Sequence, residues 1–302
     1  MKGGVGCFQP RLFFTRGGAP HRRLPRMAQS DSMALILADI LRVLEKMAPP
    51  QLAEEWDNAG LQVGDPGREV GSVWVALDPS PDVVSAACRK GVGLLVTHHP
   101  LIFRPLKQID TRTPLGAVIE KALRHRLAVY AMHTNLDAAA AGLNDMLAER
   151  LGVQRRKPLV GREDTGSRPG PGIGRSGVLP ARIRLGELAV EVKRRLNIET
   201  VRIAGDASRP VKRVALSTGS GGSLLPHFLS STAEVFITGD LRYHDARDIE
   251  AAQRGAIDIG HFHSEHLMTA AVALRLRRAL HRHRATIRVE ACSIEKDPFQ
   301  IV

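Results

Sequence analysis

From residue 34 onward, hydrophobic and polar positions are spaced in a way that predicts helices and strands in turn. Residues 34–47, ALILADILRVLEKM, repeat apolar residues at helical spacing and end before two prolines, which predicts a first helix stopped there. A turn and a short extended segment are expected over 56–64. Strands are expected over 73–77, 94–99 and 127–132, and helices over 81–90, 113–126 and 142–152. Strands that alternate with helices of about 10 to 15 residues are typical of a largely parallel sheet.

The second part of the chain repeats this plan. Residues 211–240 contain a strand ending in Val-Ala-Leu, a turn, a helix and an apolar strand ending in Thr, which is also the order in residues 72–99. We therefore expect two related α/β halves. The interval 152–177 is dense in Gly, Pro and charge and indicates a connection. It is followed by an expected strand, helix and strand over 178–185, 185–197 and 201–205.

These patterns define the expected domain boundaries. A first lobe is predicted over about 33–155, a linker over about 156–177 and a second lobe over about 178–302, so that 33–302 is one folded unit. Residues 1–32 contain six Lys and Arg against one Asp and have no sustained period. This segment is interpreted as a disordered basic extension or a mis-assigned start.

Composition restricts the kind of protein and the kind of metal site. The chain has 302 residues, of which 43% are hydrophobic and 25% charged, as is ordinary for globular proteins. Its apolar runs are too short to span a membrane. Three dispersed cysteines favour neither a disulfide framework nor a thiolate site, and they suggest a reducing compartment. A metal would then be bound by His, Asp and Glu, which suits iron, manganese, zinc or nickel.

The net charge of +12 admits a nucleic-acid partner, although part of it lies in residues 1–32. The basic clusters of the folded part fall on predicted helix faces, where solvated surface is the first interpretation. An anionic substrate or nucleic acid is the second. Aromatic residues make up only 4% of the chain, and no basic-aromatic run of the type that stacks on bases is present.

Polar side chains follow the predicted strands at the points where the strands end. These are His98, His99, His133, Asp240 and His261. Functional groups of open parallel sheets gather beyond the carboxyl ends of the strands, so these five are expected at one edge. Polar strand-end residues bonded to the backbone would be the alternative, but that does not explain why both halves end in a histidine with a carboxylate four positions on.

The spacing of these groups favours two ions over one. Successive side chains leave an extended backbone in opposite directions, so His98 and His99 would be divided between two ions unless the chain turns sharply. Two ions need a bridging carboxylate, for which Asp137 and Glu265 are the candidates. If a helix begins near residue 261, His261 and Glu265 lie one turn apart and can converge. Such a ligand set suits two ions with a water between them that ionises near neutral pH.

The chain also resembles a known family in six motifs. WDNAGLQVG, THHPLIF, HTNLDAAAAGLND, GRSG, TGDLRYHD and DIGHFHSE, in this order, are similar to motifs of the Nif-three-like dinuclear metal family, whose bacterial members are named GTP cyclohydrolase 1 type 2 homologues. The resemblance runs from about residue 34 to 302. By motif, it implies that the metal ligands are His98, His99, Asp137, His261 and Glu265.

The resemblance further implies two interlocked α/β lobes with mainly parallel central sheets, assembly into a hexameric ring built as a trimer of dimers, and a cytoplasmic location. Many relatives carry an extra domain between the halves. Here only a short Gly-Pro-rich stretch stands at that place, so the chain resembles the compact form.

The leading functional hypothesis is a metal-dependent hydrolase that uses a metal-bridging hydroxide. The family resemblance suggests opening of the imidazole ring of GTP at C8. The substrate would be a small anionic molecule or nucleotide, and no individual catalytic residue is assigned. His133, Asp240 and His244 are candidates to orient ligands or transfer protons. The glycine-rich turn 217–223 could offer amide groups to a phosphate.

Two other hypotheses remain open at this point. One is a metal-stabilised ring that binds nucleic acid or protein partners without catalysis. The other is metal storage or sensing.

Overall fold

The computed structural model describes residues 1, 3–4, 35–161, 170–281 and 287–301. By contacts the chain divides into two units, Met1–Asp31 and Ser32–Val302. Within the described residues of the second unit, the strands are β1 (Gly60–Val63), β2 (Ser72–Val75), β3 (Leu94–Thr97), β4 (Ala128–Ala131), β5 (Gln154–Gly161), β6 (Gly172–Arg184), β7 (Arg202–Ala204), β8 (Pro210–Ser220), β9 (Val235–Gly239), β10 (Gly255–Asp258) and β11 (Arg288–Ala291).

The α-helices of the same residues are α1 (Leu37–Met47), α2 (Pro81–Arg89), α3 (Pro114–Arg124), α4 (Thr134–Ala138), α5 (Leu143–Arg150), α6 (Leu185–Leu196), α7 (Leu225–Ser230), α8 (Tyr243–Ala251), α9 (His261–Glu265) and α10 (Leu267–His281). Short 3-10 turns cover Pro50–Leu52 and Gly222–Leu224. Helix starts follow local chemistry: the hydroxyls of Ser80 and Thr113 accept backbone N–H bonds in the first turns of α2 and α3. No described helix is long and apolar enough to cross a bilayer.

The first sheet has the order β1-β4-β3-β2-β11. Strands β11, β2, β3 and β4 are parallel, and β1 joins the edge antiparallel to β4. One face packs against α1, α5 and α10, and the other against α2 and α3. Because both faces are covered, β2, β3 and β4 are buried along their whole length, and their sequences read as continuous apolar runs.

The second sheet has the order β5-β6-β8-β9-β10-β7. Its three consecutive strands β8, β9 and β10 are parallel, whereas β5, β6 and β7 join antiparallel at the two edges. This sheet is therefore mixed, and only its centre is parallel as predicted. Helix α6 covers one face, and α7 and α8 cover the other.

The two predicted related halves are present. The order β2-α2-β3-α3-β4 in the first sheet corresponds to β8-α7-β9-α8-β10 in the second, and in each case the three strands are parallel neighbours. The halves also interlock as expected. After the second half, α10 packs in the core of the first sheet, and β11 pairs in parallel with β2, with Val289 opposite Val73.

The predicted linker 156–177 is where the structure differs most from the sequence interpretation. Except for residues 162–169, which lie outside the described residues, this interval forms β5 and the first part of β6. Two of its glycines lie where β5 and β6 approach each other closely. A Cβ on Gly172 would lie 2.3 Å from the carbonyl oxygen of Val160, and a Cβ on Gly177 would lie 2.5 Å from the carbonyl oxygen of Gln154. Pro158 is tolerated because β5 is an edge strand.

The sequence pattern also did not indicate helix α8 or strand β11. Helix α8 has a polar sequence with only Asp245 and Ile249 buried. Strand β11 is four residues long and pairs with β2. The predicted basic extension 1–32 lies, apart from residues 1, 3 and 4, outside the described residues.

Candidate metal centre

The strand ends place the two adjacent histidines at one point. After β3, the backbone N–H groups of His98 and His99 both donate to the carbonyl oxygen of Leu77, at 3.1 and 3.0 Å. The Thr97 hydroxyl donates to the carbonyl of His99 at 2.8 Å. The chain therefore turns sharply after the strand, and the two imidazole centroids lie 5.1 Å apart.

Each of three histidines uses its Nδ1 nitrogen to bond an acceptor. His98 Nδ1 lies 2.8 Å from the carbonyl oxygen of Met132, which can only accept. His99 Nδ1 lies 2.7 Å from Asp78, and His261 Nδ1 lies 2.7 Å from Asp240. When such an imidazole is neutral, a proton held on Nδ1 leaves the lone pair on Nε2. Histidines that bind metals are oriented in this manner.

The three Nε2 atoms converge on the carboxylate of Glu265. Its Oε2 lies 3.1 Å from His99 Nε2 and 3.0 Å from His261 Nε2, and its Oε1 lies 3.5 Å from His98 Nε2. Asp137 Oδ2 lies 3.9 Å from His98 Nε2. The five predicted ligands thus meet, with one oxygen of Glu265 toward each of the two adjacent histidines.

Two atoms of this group fit a bound cation better than a hydrogen-bond network. Within the described residues, His98 Nε2 and Glu265 Oε2 are buried and have no partner of acceptable hydrogen-bond geometry. Burying polar atoms without partners costs free energy, and such atoms call for an explanation. Coordination of a metal ion by these nitrogen and oxygen donors would satisfy both atoms.

The electrostatics of the centre also favour a cation. Burial of His99 opposes its protonation, but Asp78 and Glu265 outweigh this and raise its pKa to about 10. For His261, the carboxylate of Glu265 and that of Asp240 raise the pKa to about 9. Burial opposes ionisation of Glu265, yet the surrounding histidines hold its pKa well below the usual range. The centre therefore retains positive charge near neutral pH, as protons on these imidazoles.

His133 belongs to the same cluster. Ligand atoms of His98, His99 and His133 lie within 4.8 Å of one another, as do those of His99, His261 and Glu265. Asp57 accepts from His133 Nδ1 at 2.7 Å, which repeats the arrangement at the other histidines. His133 was predicted only to orient ligands or transfer protons, and its position brings it within reach of the ligand atoms themselves.

The other two predicted orienting residues differ from each other. Asp240 contacts His261, and it adopts a left-handed backbone conformation with φ of 51°, which is uncommon for a residue with a Cβ. His244 is exposed near the start of α8, and its recorded ring contact is with Tyr243. No recorded contact of His244 reaches the centre within the described chain.

The glycine-rich turn contacts Glu265, and two of its amides are bonded within the protein. Gly219 has φ of 59°, and a Cβ at this position would lie 2.2 Å from Glu265 Oε1. Its N–H donates to Ser264 Oγ at 2.8 Å, and the N–H of Thr218 donates to Asn144 at 3.0 Å. These two amides are therefore committed to the protein, and the missing side chain of Gly219 makes room for Glu265.

The sequence analysis missed three carboxylates that orient the centre. Asp78 directly follows the strand predicted over 73–77, so the rule that located His98 would also have found Asp78. Asp57 lies in the WDNAG motif but carries no strand signal. Glu295 accepts the backbone N–H bonds of Leu77, at 2.9 Å, and of Asp78, at 2.8 Å. These partners lie more than two hundred residues earlier in the chain, so no local pattern indicates them.

Comparison with known proteins gives a family match over nearly the whole described unit. The family model described as Duf34/NIF3 (NGG1p interacting factor 3) matches residues 35–298. Over 266 residues, the chain is 33% identical to a Clostridium perfringens protein named GTP cyclohydrolase 1 type 2 homolog, with 88% of this chain and 99% of that protein covered.

Solved structures have the same fold. A Bacillus cereus protein related to NIF3 superposes with a TM-score of 0.83 at 26% identity, covering 90% of this chain and 100% of that one. The Staphylococcus aureus hypothetical protein SA1388 superposes with a TM-score of 0.82 at 30% identity, covering 89% and 100%. These matches agree with the two-lobed α/β architecture.

Proposed function

The chain belongs to the DUF34/NIF3 family, and from this premise we propose that it is a dinuclear metal protein that acts as a metal-dependent hydrolase. One observation carries the proposal. Three histidines that follow strands of two different sheets have their Nδ1 nitrogens bonded to acceptors, and their Nε2 atoms face the carboxylate of Glu265. Two of these buried atoms, His98 Nε2 and Glu265 Oε2, have no hydrogen bond of acceptable geometry within the described residues.

The five ligands divide naturally into two sets. His98 and Asp137 lie on the side of Glu265 Oε1, whereas His99 and His261 lie on the side of Oε2. Each set would hold one divalent ion, and Glu265 has one carboxylate oxygen near each set. The donors are imidazole nitrogens and carboxylate oxygens, which suit iron, manganese, zinc or nickel.

Two such ions would lower the pKa of bound water to supply a hydroxide near neutral pH and would polarise an electrophilic carbon or phosphorus of the substrate. Asp78 and Asp240 hold His99 and His261 in the tautomer that leaves Nε2 free. His133, held by Asp57, is placed to accept or donate a proton at its Nε2 atom.

The substrate is proposed to be a small anionic molecule or a nucleotide. The name of the similar Clostridium perfringens protein supports GTP as the first to test, with opening of its imidazole ring at C8. We further propose that the protein acts in the cytoplasm as a homohexameric ring, on the basis of the family resemblance. The described cysteines, Cys88 and Cys292, are buried and unpaired, which suits a reducing compartment.

A second candidate function follows from where the ligands lie in the fold. His98 and His99 follow a strand of the first sheet, whereas His261 and Glu265 follow a strand of the second. Bound ions would therefore hold the two halves together, and the ring could bind nucleic acid or protein partners without catalysis.

The two candidates are separated by measuring metal content, assembly and turnover on the same samples. We expect about two ions per protomer by mass spectrometry and metal-dependent turnover of GTP. Replacing one ligand, His99→Ala, should abolish turnover and reduce metal content while the assembly keeps its size. The matched control is His227→Ala, since His227 is exposed on α7.

Full activity of metal-free protein would exclude the hydrolase. If instead the protein binds two ions, turns over neither GTP nor a phosphodiester, and loses its assembly when the metal is removed, the second candidate is correct. Salt-sensitive nucleic-acid binding that survives Glu265→Gln would support that second outcome.

A further inference from the structure

Two aromatic side chains are exposed beside the candidate metal centre. Trp56 is 60% exposed and Phe103 is 46% exposed, although they come from loops that are distant in the sequence. Their ring centroids lie 5.9 Å apart with an angle of 65° between the planes. Large aromatic side chains gain much from burial, so an exposed pair of this kind marks a surface that binds something.

The pair is continuous with the histidine cluster. The ring of His133 lies 6.0 Å from that of Trp56 and 6.3 Å from that of Phe103. On its other side, it lies 5.2 Å from His98 and 5.8 Å from His99. A molecule that contacts both aromatic rings is therefore one imidazole away from the proposed ligands.

The two loops are held in place before anything binds. Asp57, whose side chain is fully buried, accepts from His133 Nδ1 and from the backbone N–H of Thr134, which fixes the residue next to Trp56. Asn58 donates to the carbonyl oxygen of Ile102 at 2.5 Å, which ties the loop of Trp56 to the residue before Phe103. Preorganised side chains lose little conformational entropy on binding.

The loop of Phe103 also contributes positive charge. Arg104 and Lys107 are exposed on it, and among the residues that the structure describes no carboxylate forms an ion pair with either. An aromatic pair with nearby uncompensated cations is complementary to a planar ring that carries anionic groups, because aromatic side chains stack on the face of any nucleobase and cations attract phosphate.

We propose that Trp56 and Phe103 form a subsite for the planar heteroaromatic ring of a phosphorylated substrate, and that this subsite places the ring next to His133. The inference rests on the proposed function, since it assigns the substrate of that same centre to the nucleotide class. It makes Trp56 and Phe103 specificity-determining residues and leaves the chemistry to the ions and histidines.

The test uses the intrinsic fluorescence of the full-length, Zn²⁺-loaded protein. The chain has two tryptophans, and Trp74 is only 5% exposed, so a change caused by a ligand reports mainly on Trp56. We expect GTP to quench the emission saturably, whereas inorganic triphosphate, which has no ring, should leave it unchanged. Phe103→Ala should weaken GTP binding about tenfold, within the range found for loss of one stacking ring.

Steady-state kinetics provide the second readout. Trp56→Ala and Phe103→Ala should lower kcat/KM for GTP about tenfold, chiefly through KM, while metal content and melting temperature stay at wild-type values. Trp56→Phe keeps an aromatic ring and should recover most of the loss. Phe299→Ala is the matched control, because Phe299 is 82% exposed and has no recorded ring contact with His133.

The outcomes separate this inference from the proposed function. If GTP is hydrolysed and the variants keep wild-type KM, the subsite is wrong and the hydrolase stands. If GTP quenches Trp56 emission but is not hydrolysed, the subsite stands and the hydrolase is wrong. If no nucleotide quenches, or if the variants change only the assembly size in light scattering, the aromatic pair is not a substrate site. In the latter case it is a contact between copies of the chain.

Discussion

The acceptor on Nδ1 decides what each histidine of this protein can do. His98, His99 and His261 have different acceptors, a carbonyl oxygen and two carboxylates, yet all three present Nε2 to the same carboxylate, Glu265. His125 shows the contrast, since its Nδ1 also bonds a carbonyl oxygen, but its position is exposed. An acceptor on Nδ1 together with an Nε2 atom that faces a buried carboxylate thus distinguishes a candidate ligand from a surface histidine.

Replacing Gly219 tests whether the absence of a side chain at this position is what makes room for Glu265. In Gly219→Ala, the new Cβ would lie 2.2 Å from Glu265 Oε1 at a positive φ, so Glu265 must move. We expect metal affinity to fall at least tenfold, in line with changes to groups that orient ligands, and stability to fall by about 1–2 kcal/mol from the backbone conformation. Isothermal titration with Zn²⁺ and chemical unfolding measure the two effects.

The control for this substitution is Gly71→Ala, where the added Cβ would meet nothing within 4 Å. It should retain wild-type affinity. Unchanged metal binding in Gly219→Ala would mean that Glu265 is not held where the structure places it, or that it is not a ligand.

Among the secondary-structure elements, β6 differs most from the sequence prediction, and it supports the helices beside the candidate site. Strand β6 carries Arg175, which is fully buried and forms a two-point ion pair with Asp145 of α5 at 2.8 Å for both contacts. Arg175 also donates to the carbonyl oxygen of Ala139, just after the helix that carries Asp137. The glycine-rich interval predicted as a linker is therefore part of the support of the candidate metal centre.

Removing one partner of this buried pair should be costly. In Arg175→Met, Asp145 is left buried without its main cation, and we expect the free energy of unfolding to fall by about 3–5 kcal/mol. Arg182→Met is the comparison, since Arg182 pairs with Glu234 at an exposed position and should cost about 1 kcal/mol or less. Urea unfolding measures both, and similar values for the two variants would contradict the structural role of Arg175.

Glu295, in the segment after β11, offers a second test, because it holds the loop that carries Asp78. Glu295 accepts the N–H bonds of Leu77 and Asp78, and Asp78 in turn orients His99. In Glu295→Gln, one acceptor oxygen is replaced by a donor, so we expect Zn²⁺ affinity to fall about tenfold through misplacement of Asp78. Lys296→Ala, at an exposed position, should bind normally. Wild-type affinity in Glu295→Gln would show that the Asp78 loop is fixed without it.

For the molecule as a whole, the candidate centre contains residues from two interlocked halves, and protonation of its histidines would couple metal binding to pH. In the metal-free protein, His99 and His261 have pKa values of about 10 and 9. Since these folded values exceed those of unfolded chains, the imidazoles contribute stability that is complete below about pH 6.5 and lost as pH rises through 9 and 10. A bound metal needs both imidazoles neutral, so it must displace these protons.

We therefore expect Zn²⁺ binding at pH 7 to release protons and its apparent affinity to rise between pH 6 and 9. Titration calorimetry in two buffers of different ionisation enthalpy measures the proton release. Metal removal should also lower the melting temperature, because ligands from both sheets lose their common partner. Binding without proton release would contradict the assignment of His99 and His261 as ligands.

Local pattern was sufficient for much of the architecture. The paired β-α-β units, the buried central strands and the cluster of polar groups at the strand ends follow from residue periodicity. Continuous apolar runs occur where both faces of a strand are buried, and parallel strands end at the same edge. The sequence alone therefore predicts one cluster of His98, His99, His133, Asp240 and His261, but it does not separate His244 from them.

Interactions between distant segments decided the rest. The pairing of β11 with β2, the use of Gly172 and Gly177 for close strand approach, and the contacts of Glu295 with Leu77 and Asp78 depend on partners far away in the chain. A sequence records which residues are present, but a polar group or glycine acquires its role from the atoms that folding places within a few ångströms of it. The identity of the neighbours of each Nδ1 and of Gly219 is thus a property of the folded chain.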